Sequence, residues 1–429
     1  MRSNGAKRDR RTIKQNQTAV IVGGGVIGIA CAHYLKQAGY QVTVVDRDSI
    51  GGACSYANCG YVCPSHILPL TVPSAIPMAL KSLLKPKSPF KVKFSLSPNY
   101  VGWMLQFGRR CREQIALAAG HHLKAILDSS LNEYKGLIAR EQLDCQWKES
   151  GLLHVFQTQS ALDGFAKEND WIESEYQCGA KRIAAADLPT LDPTLRSDLA
   201  GGFLHEEDAS LRPDLLNQTW RAKLESEGVR FIENCNIETI VRDASGKVQH
   251  LVTSQGHQNA DVYVFAIGAW SEKIGSQLGF KLPIQPGKGY SITLDKPDAS
   301  PMIPMLFPEK KIGVSPFANG FRIGSMMEFV GFDKTIPEYR IQQLKDSVRP
   351  FFNFQLNETE QERWYGYRPM TYDTLPVIGP APGAENGFIA TGHSMLGVSM
   401  APATGRLIAE MILKRPTHID AQAFSPARF

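Results

Sequence analysis

Apolar and polar positions near the start of the chain follow two different periods in turn. Residues 18–22, TAVIV, form a short β-branched run that is typical of a buried parallel strand. After GGGVIG at 23–28, residues 29–39 carry apolar side chains at helical spacing and end at a glycine suited to a helix C-cap. Residues 40–46, YQVTVVD, predict a second strand. The pattern therefore predicts a strand, a glycine turn, a helix and a strand.

The rest of the chain mixes helical and extended patterns. Helical periodicity predicts helices at 76–85, 99–110, 125–143, 212–228 and 395–413. Apolar runs predict strands at 151–158, 229–234, 237–243, 260–270 and 386–392, and a hairpin at 311–329 with a type I′ turn at Asn319-Gly320. Pro402 is out of place in the last helix and predicts either a kink or a later start. Nucleotide-type strands at both ends of the chain imply two interleaved domains.

Charge is distributed unevenly along this chain of ordinary globular composition. The formal net charge of +5 resides in residues 1–17, a polar tail that we expect to be disordered. Residues 49–112 contain no Asp or Glu but eight Lys and Arg, interleaved with apolar side chains. This basic window predicts either contact with anionic lipid or a solvated face. The glycines at 23–28 interrupt the uncharged stretch 18–35, which argues against a signal peptide or a membrane span there.

The glycine turn has the spacing of a dinucleotide-binding site. Gly23 suits the tight turn, Gly25 lets the backbone approach a pyrophosphate, and Gly28 lets the helix pack on the strand. Asp46 ends the second strand, where an acid accepts hydrogen bonds from a ribose hydroxyl. This fingerprint does not by itself distinguish NAD from FAD.

Three cysteines lie within CSYANCGYVC at 54–63, which raises the alternatives of a metal cluster, a redox dithiol and a disulfide. Eight cysteines in 429 residues are too sparse for a secreted disulfide scaffold, so free thiols in a reducing compartment are expected. A zinc site would find only His66 as a nearby fourth ligand, and a catalytic dithiol prefers the spacing CxxC. We therefore expect no metal here.

Seven motifs occur in an order that identifies a family. They are GGGVIG with Asp46, SYANCG (55–60), GGFLHEEDASLRP (201–213), FAIGAWS (265–271), PGKGYS (286–291), GYRPMTYDTLPVIGP (366–380) and GHSMLGVSMAPATG (392–405). With them the chain resembles FAD-dependent oxidoreductases of the D-amino-acid oxidase superfamily, and most of all the bacterial D-amino-acid dehydrogenases, with glycine oxidase and sarcosine oxidase as cousins. The resemblance covers residues 18–429.

The resemblance implies an α/β fold in which a Rossmann-like FAD-binding domain is interleaved with an α+β, mixed-sheet substrate-binding domain. It assigns residues 18–63, 200–280 and 364–415 to the FAD-binding domain. Residues 64–199 and 281–363 then form the substrate-binding domain, which carries the basic amphipathic insertion.

The resemblance also implies FAD as the cofactor, and the residues that hold it. The turn at Gly392 and the helix after it are expected to present N–H groups to the flavin pyrimidine, a helix end that favours negative charge. The cysteine loop is expected around the flavin phosphates, with its thiols as packing groups. Because no cysteine follows Cys235, the thiol that links flavin covalently in sarcosine-oxidase relatives is missing, and FAD is expected to be non-covalent. The predicted FAD residues are Gly23, Gly25, Val26, Ile27, Gly28, Asp46, Arg47, Ser55, Asn58, Gly60, Ile237, Gly268, Ala269, Trp270, Gly392, Met395, Leu396, Gly397 and Val398.

An amino-acid substrate carries a carboxylate, whose geometric partner is a bidentate arginine. The resemblance places that arginine at Arg368, and the alternative is a structural arginine paired with a buried acid such as Asp373. Tyr290 and His393 are further catalytic candidates, equally well explained as a core aromatic and a satisfied loop histidine. Just past the cysteine loop, Tyr61 and His66 are candidates too.

The reaction implied is oxidative deamination of D-amino acids, or of cyclic D-imino acids such as D-proline, by hydride transfer to flavin N5. Relatives with a similar LPLTVPSAIPMA segment (68–79 here) pass electrons to a membrane quinone pool. The resemblance thus implies a quinone-type acceptor and a cytoplasmic protein in peripheral contact with the inner membrane face through residues 76–112, with no nucleic-acid partner. An oxygen-using glycine or sarcosine oxidase type and a redox-inactive flavoprotein binding partner stay open as alternatives.

Overall fold

The computed structural model describes residues 17–77, 79, 88–93 and 97–429 of the chain. Most of the basic tail (1–17) and of the helix predicted at 76–85 lies outside the described residues. The helices are α1 (Val26–Gln37), α2 (Pro98–Arg110), α3 (Glu113–Glu141), α4 (Gln159–Tyr176), α5 (Leu188–Leu191), α6 (Pro213–Ser226), α7 (Ser271–Leu278), α8 (Glu338–Val348) and α9 (Gly397–Ile412).

The strands fall into four sheets. In chain order they are β1 (Thr18–Val22), β2 (Gln41–Val45), β3 (Tyr61–Val62), β4 (Phe90–Val92), β5 (Leu152–Phe156), β6 (Lys181–Ala184), β7 (Gly201–His205), β8 (Ala209–Ser210), β9 (Arg230–Ile232), β10 (Ile237–Arg242), β11 (Val248–Thr253), β12 (Gly256–Gln258), β13 (Val262–Phe265), β14 (Gln285–Leu294), β15 (Met305–Phe307), β16 (Ile312–Phe317), β17 (Gly320–Phe329), β18 (Glu360–Met370), β19 (Val377–Pro380) and β20 (Gly387–Thr391).

The first sheet is the scaffold of a nucleotide site. Its order is β19-β20-β13-β1-β2-β9, parallel except for the β19–β20 pair, so that strands from both ends of the chain meet in it. The largest cluster of buried apolar side chains packs helices α1, α3, α6 and α9 against its strands, through residues such as Ile29, Leu127, Trp220 and Leu407. The predicted strand, glycine turn, helix and strand at the start of the chain are confirmed.

A nine-stranded mixed sheet faces the first. Its order is β18-β14-β17-β16-β15-β5-β7-β6, with β4 pairing with β17. Strands β7 and most of β18 fall in segments that we predicted for the FAD-binding domain, but their hydrogen bonds join them to this second sheet. The remaining strands form a three-stranded antiparallel sheet, β10 to β12, and the pair β3–β8. The predicted α/β architecture is confirmed.

Three local predictions need correction, and the first concerns α3. This helix begins at Glu113, well before the predicted start at 125. Its first turns are buried through small residues such as Ala116, Ala119 and Gly120. Small residues pack through close approach of the backbones, and they produce only a weak apolar periodicity in the sequence. The pattern therefore did not reveal the first turns of α3.

The second correction concerns the turn of the predicted hairpin. The hairpin itself is confirmed as β16–β17, but its turn differs from the prediction. Phe317 pairs with Gly320, so that Ala318 and Asn319 form the loop. Neither loop residue has a positive φ, whereas a type I′ turn needs one at both central positions. The turn preference of Asn-Gly is thus overridden by strand pairing with the rest of the sheet.

The third correction concerns Pro402, which lies inside α9 without delaying the start of the helix. Proline has no N–H to donate to the carbonyl four residues earlier, which here belongs to Val398. The Tyr134 hydroxyl donates to that carbonyl instead, at 2.8 Å. A side chain of α3 therefore replaces the missing helical hydrogen bond.

Among the described residues, no helix combines the length and the apolar composition needed to cross a bilayer.

Candidate functional site

A cavity of about 1370 Å³ lies between the parallel sheet and the mixed sheet. It starts at the carboxyl ends of β1, β2 and β13, where Val22, Val45 and Ala266 line it, and extends to β14, β17 and β18. Ligands of doubly wound sheets bind in this position. The volume exceeds the roughly 300–1,000 Å³ of an ordinary small-molecule pocket, which leaves space for a dinucleotide and a small substrate. All predicted cofactor and catalytic residues except Gly28 and Gly392 line it.

The glycine turn shapes the near end of the cavity. Gly23 has φ of 101°, and a Cβ there would lie 2.5 Å from the carbonyl oxygen of Ala266. A Cβ on Gly28 would lie 1.8 Å from the Gly23 carbonyl oxygen, so only glycine lets α1 pack this close to the turn. Gly28 therefore acts through packing and need not touch a ligand.

The N-terminus of α1 is open to the cavity. Its N-cap residue is Gly25, and the space in front of it is free up to Ser55, whose Oγ would be 3.5 Å from a Cβ at that position. Ser55 accepts a hydrogen bond from the Val26 N–H at 3.1 Å. A helix N-terminus with a hydroxyl beside it has the donors and the positive dipole end that a phosphate requires.

Asp46, the predicted ribose partner, lies beside the glycine turn. Its Oδ2 accepts from the Gly24 N–H at 2.6 Å and its Oδ1 from the Asp48 N–H at 2.9 Å. Burial raises the pKa of this carboxyl group. Each oxygen keeps a lone pair for a hydroxyl, because a carboxylate offers about four acceptor sites. Next to it, the Arg47 guanidinium lies 3.8 Å from the centre of the Trp270 ring.

The loop 54–63 runs between the two sheets. Asn58 Oδ1 accepts from the Gly60 N–H at 2.8 Å, and the Asn58 carbonyl accepts from the buried Arg322 at 3.1 Å. Gly60 has φ of 71°, and a Cβ there would lie 1.8 Å from the Leu211 carbonyl oxygen. Both residues therefore fix the shape of the loop, whereas Ser55 places its hydroxyl group beside the helix N-terminus.

The adenine and pyrophosphate positions predicted at Ile237, Gly268 and Ala269 lie on the same wall. Gly268 begins a short 3-10 turn after β13, and none of the described residues places an atom within 4 Å of its Cβ position. Such open space directly over the backbone suits the close approach of a pyrophosphate.

The far end of the cavity is closed by the turn before α9. Gly392 has φ of 75°, and a Cβ there would lie 2.8 Å from Thr371 Cγ2. Helix α9 starts at Gly397, its N-cap residue is Leu396, and no side chain caps it. Met395 is 46% exposed, whereas Val398 is buried. The first N–H groups of α9 and its positive dipole end therefore face the cavity at Leu396, Gly397 and Val398.

Arg368 is a cation that pairs with none of the acids in the described residues. It is enclosed by protein atoms and accessible only partly, and burial lowers the pKa of its guanidinium group. Its Nη1 donates to the Met326 carbonyl at 2.7 Å, and no described acid forms an ion pair with it. Asp373, the alternative partner, is paired with Arg428 at 2.8 Å. Asp373 is therefore not available as the structural partner of Arg368.

The seat of Arg368 is built by strands β14 and β17. Arg368 pairs with Gly287, and a Cβ on nearby Gly289 would lie 2.3 Å from the Arg368 Nη1, so a larger residue would displace the guanidinium. Met326 has φ of 66°, a conformation that costs energy for a residue with a side chain. In this conformation the Met326 carbonyl points toward Arg368. No pattern in the sequence predicts the positive φ of Met326.

Tyr290 is committed to a buried network. Its hydroxyl donates to Glu328 at 2.6 Å, and Glu328 is paired with Arg340, whose Nε lies 2.9 Å away. The Tyr290 side chain is 2% exposed, although it lines the cavity. The contacts favour the core interpretation of Tyr290 over a substrate role.

His393 and Tyr61 are held in similar ways. His393 Nε2 lies 2.9 Å from Thr404 Oγ1, and burial lowers the pKa of its ring to about 3, so the ring is neutral near pH 7. The Tyr61 hydroxyl lies 2.9 Å from the carbonyl oxygens of Met305 and Val314. Neither group is a free acid or base in the cavity.

Two of the three loop thiols lie near the arginine. Cys54 and Cys59 both interact electrostatically with Arg368, and burial raises the pKa of Cys54 to about 11 and that of Cys59 above its usual value. Protonated thiols are poor nucleophiles and poor redox centres, which agrees with the packing role expected for them. Cys63 lies apart, beside His66.

The chain belongs to the FAD dependent oxidoreductase family abbreviated DAO, whose model matches residues 18–411. Among curated relatives, D-amino acid dehydrogenase of Vibrio vulnificus is 32% identical over 402 residues, which cover 92% of this chain and 95% of the relative. The enzyme of the same name from Bradyrhizobium diazoefficiens is 32% identical over 418 residues, with 96% and 98% covered. The family predicted from the seven motifs is confirmed.

Solved structures share the fold. Glycine oxidase from Geobacillus kaustophilus has a TM-score of 0.74 at 22% identity, with 97% of this chain and 100% of that chain covered. L-proline dehydrogenase from P. horikoshii has a TM-score of 0.70 at 18% identity, with 97% and 98% covered. The open N-terminus of α1, the space over Gly268 and the large cavity fit FAD, the cofactor of the family.

Proposed function

We propose that this FAD-dependent oxidoreductase deaminates D-amino acids, or cyclic D-imino acids such as D-proline, and passes the electrons to a quinone-type acceptor. Arg368 carries the proposal, because a partly accessible guanidinium without a described acidic partner, in the cavity that fits FAD, matches the carboxylate of an amino acid. The relatives named D-amino acid dehydrogenase support the substrate class.

The chain contributes position and charge to the reaction. FAD, when bound, supplies the hydride acceptor. Arg368 binds and neutralises the substrate carboxylate, and its seat against Gly289 fixes where the α-carbon lies. The N-terminus of α9 stabilises negative charge at the far end of the cavity. A neutral amine can release its α-hydrogen as hydride without a general base, which is consistent with the hydrogen-bonded state of Tyr290 and His393.

The deciding experiment is anaerobic reduction of the purified flavoprotein. D-alanine, D-proline, glycine, sarcosine and the L-enantiomers are added separately and the loss of flavin absorbance is followed, after which oxygen or a soluble quinone is admitted. We expect D-enantiomers to bleach the flavin and quinone to restore the colour faster than oxygen. Fast reoxidation by oxygen alone would identify an oxidase of the glycine or sarcosine type, and no bleaching by any amine would leave a redox-inactive flavoprotein.

We propose that the flavin is held without a covalent bond. The cavity thiols that the structure describes near Arg368 are protonated because burial raises their pKa, and no cysteine follows Cys235. Acid precipitation should therefore release all the yellow colour into the supernatant. Colour that stays in the pellet would overturn this part of the proposal.

The proposed quinone acceptor implies contact with the inner face of the cytoplasmic membrane, and α2 supports it. Val101 and Leu105 are 41% and 59% exposed, and Arg109 follows on the same helix face. Trp103 does not belong to that face, because it is buried and its Nε1 donates to the Pro283 carbonyl at 3.0 Å. An apolar stripe ending in basic residues is suited to an anionic bilayer surface.

Flotation with vesicles that contain phosphatidylglycerol tests this contact. Leu105→Glu should lower the bound fraction, and Met302→Glu, which also replaces an exposed apolar side chain (55% exposed), serves as the control. Equal binding of both variants would exclude the α2 face.

A further inference from the structure

A group of potential metal ligands lies beside the cavity, at a place that the proposed reaction does not use. Ligand atoms of Cys63, His66 and Asp208 all lie within 4.8 Å of one another. Cys63 is 2% and Asp208 1% exposed, and His66 is half-buried. From the sequence alone we expected no metal, because the loop offered thiols and only one nearby histidine.

Strand pairing explains why an acid far along the chain completes the group. The short strands β3 and β8 are antiparallel, with Val62 opposite Ala209. The next residue on one strand, Cys63, therefore meets the preceding residue on the other, Asp208. A tight turn, in which the His66 N–H donates to the Cys63 carbonyl at 3.2 Å, brings the imidazole to the same side.

The group is held in place before any ion binds. Ser65 donates to both oxygens of Asp208, through its N–H at 3.2 Å and its hydroxyl at 2.6 Å. No described cation forms an ion pair with Asp208, although a buried carboxylate is expensive without a compensating charge. Bound ligands that are themselves hydrogen-bonded are typical of metal sites.

Two further histidines point to a missing partner. The His154 ring centre lies 6.1 Å from that of His66 and 4.7 Å from that of His205. The His154 and His205 side chains are more than nine-tenths buried. Neither nitrogen of His154, nor Nε2 of His205, has a hydrogen-bond partner within the described part of the chain. Buried ring nitrogens normally have a hydrogen-bond partner. Ring nitrogens without a described partner, next to three potential metal ligands, therefore indicate an ion with its bound water.

We propose that Cys63, His66 and Asp208 bind one zinc ion. A thiolate, an imidazole and a carboxylate are ligands that zinc accepts together, whereas Mg²⁺ and Ca²⁺ prefer oxygen alone. At bond lengths of roughly 2.0–2.3 Å, tetrahedral ligand atoms are about 3.3–3.8 Å apart. Atoms that now lie within 4.8 Å of one another would therefore approach by at most about 1.5 Å when the ion binds. Water or His154 takes the fourth position.

The zinc ion has a structural role. The Cys63 N–H donates to Ser399 Oγ at 3.2 Å, and that hydroxyl donates to the Tyr61 carbonyl at 2.9 Å. Ser399 lies in the first turn of α9, the helix that closes the flavin end of the cavity. An ion at Cys63 therefore ties the loop 54–66 and the β7–β8 turn to the N-terminus of α9.

Metal analysis of the full-length, FAD-loaded protein tests the proposal. The protein is purified after growth with added zinc sulfate, and bound metals are quantified by mass spectrometry. We expect about one zinc per chain, and dialysis against a chelator should remove it and lower Tm, which added zinc then restores. A protein without zinc that also fails to compete with a chromophoric chelator for Zn²⁺ would overturn the proposal.

Matched variants locate the ion. Cys63→Ser and Asp208→Asn should weaken zinc binding by more than the roughly 10–100-fold typical of outer groups. The controls Cys145→Ser and Asp192→Asn replace a thiol and a carboxylate that are equally buried elsewhere, and both should keep zinc. If the buried variants fail to fold, His66→Asn changes a half-buried side chain and should still lose zinc. Zinc retained equally in all variants would place the ion elsewhere and refute the site.

Discussion

Replacing Arg368 with methionine separates substrate binding from folding. The substrate carboxylate would enter a buried site without its cation, and breaking a buried ion pair by removing one partner costs about 3–5 kcal/mol. This cost corresponds to a loss of about 150- to 5,000-fold in kcat/KM. Arg368→Lys keeps the charge but loses the two parallel hydrogen bonds, so a smaller loss of about 10- to 150-fold is expected.

The same change should affect stability little. Methionine removes a buried charge that has no described acidic partner, which is favourable, and leaves the Met326 carbonyl without its donor, which is unfavourable. These two effects oppose each other, so we expect the free energy of unfolding to change by about 1 kcal/mol or less. FAD should stay bound, because the helix N-termini and the glycine turn are untouched.

Arg428→Met is the matched control for this experiment. Arg428 is paired with Asp373 and also donates to the carbonyls of Phe424 and Leu375. Its loss should lower the free energy of unfolding by about 1–3 kcal/mol while kcat/KM of the folded enzyme changes little. Steady-state kinetics, thermal unfolding and flavin content are measured on both variants. Two results would refute the carboxylate role. In the first, Arg368→Met loses as much flavin and lowers Tm as much as Arg428→Met does. In the second, kcat/KM of Arg368→Met stays within about threefold of the unchanged enzyme.

Three other predictions concern single contacts. Tyr134→Phe should lower the free energy of unfolding by about 1–3 kcal/mol, because the Val398 carbonyl loses its donor. In a Pro402→Ala background the loss should be much smaller, because the helix then supplies an N–H to that carbonyl. Equal losses in both backgrounds would show that the Tyr134 hydroxyl does not replace the missing helical hydrogen bond. Burial lowers the pKa of His33 from 6.5 to about 4, so between these values the unfolded chain binds a proton that the native state does not, and stability falls as the pH drops. His33→Leu should flatten the decrease of Tm between about pH 7 and pH 5, and an unchanged slope would argue against a neutral buried ring. Ser55→Ala should weaken FAD binding by about 1 kcal/mol, since the hydroxyl beside the α1 N-terminus is lost. Flavin fluorescence during titration of the apoprotein measures this, and Ser226→Ala, whose hydroxyl contacts the Lys223 carbonyl at the end of α6, should leave it unchanged.

The start of the chain was predictable because most of its determinants are local. Gly28 packs against Gly23, and Asp46 accepts from Gly24, all within the first strand, turn, helix and second strand. The close contact of Gly23 with the Ala266 carbonyl oxygen is the long-range exception among these three residues. The motif resemblance pointed to Arg368 and to the turn at Gly392, which lie far from the glycine motif in sequence but line or shape the same cavity.

Features set by distant pairing were not predictable. Asp373 was the nearest acid to Arg368 in sequence, but its partner is Arg428, which the chain brings back at its very end. The turn of the β16–β17 hairpin moved by one residue because β17 is also paired with β14. In the same way, the β3–β8 pairing brings Asp208 next to Cys63. The sequence of the loop 54–63 therefore did not reveal Asp208 as a third potential ligand.

The buried basic side chains show which of these long-range features matters for function. Lys288 has Asp333 within 3.7 Å, Arg322 has Glu362 within 3.4 Å, and Arg340 and Lys345 are paired with Glu328 and with Glu358 and Glu360. Each of these charges is compensated inside the protein, as a folded chain requires. Arg368 differs from them, because within the described part of the chain its hydrogen bond goes to a carbonyl oxygen and not to an acid. A cation kept uncompensated next to the space for FAD is therefore best explained by an anion that arrives with the substrate.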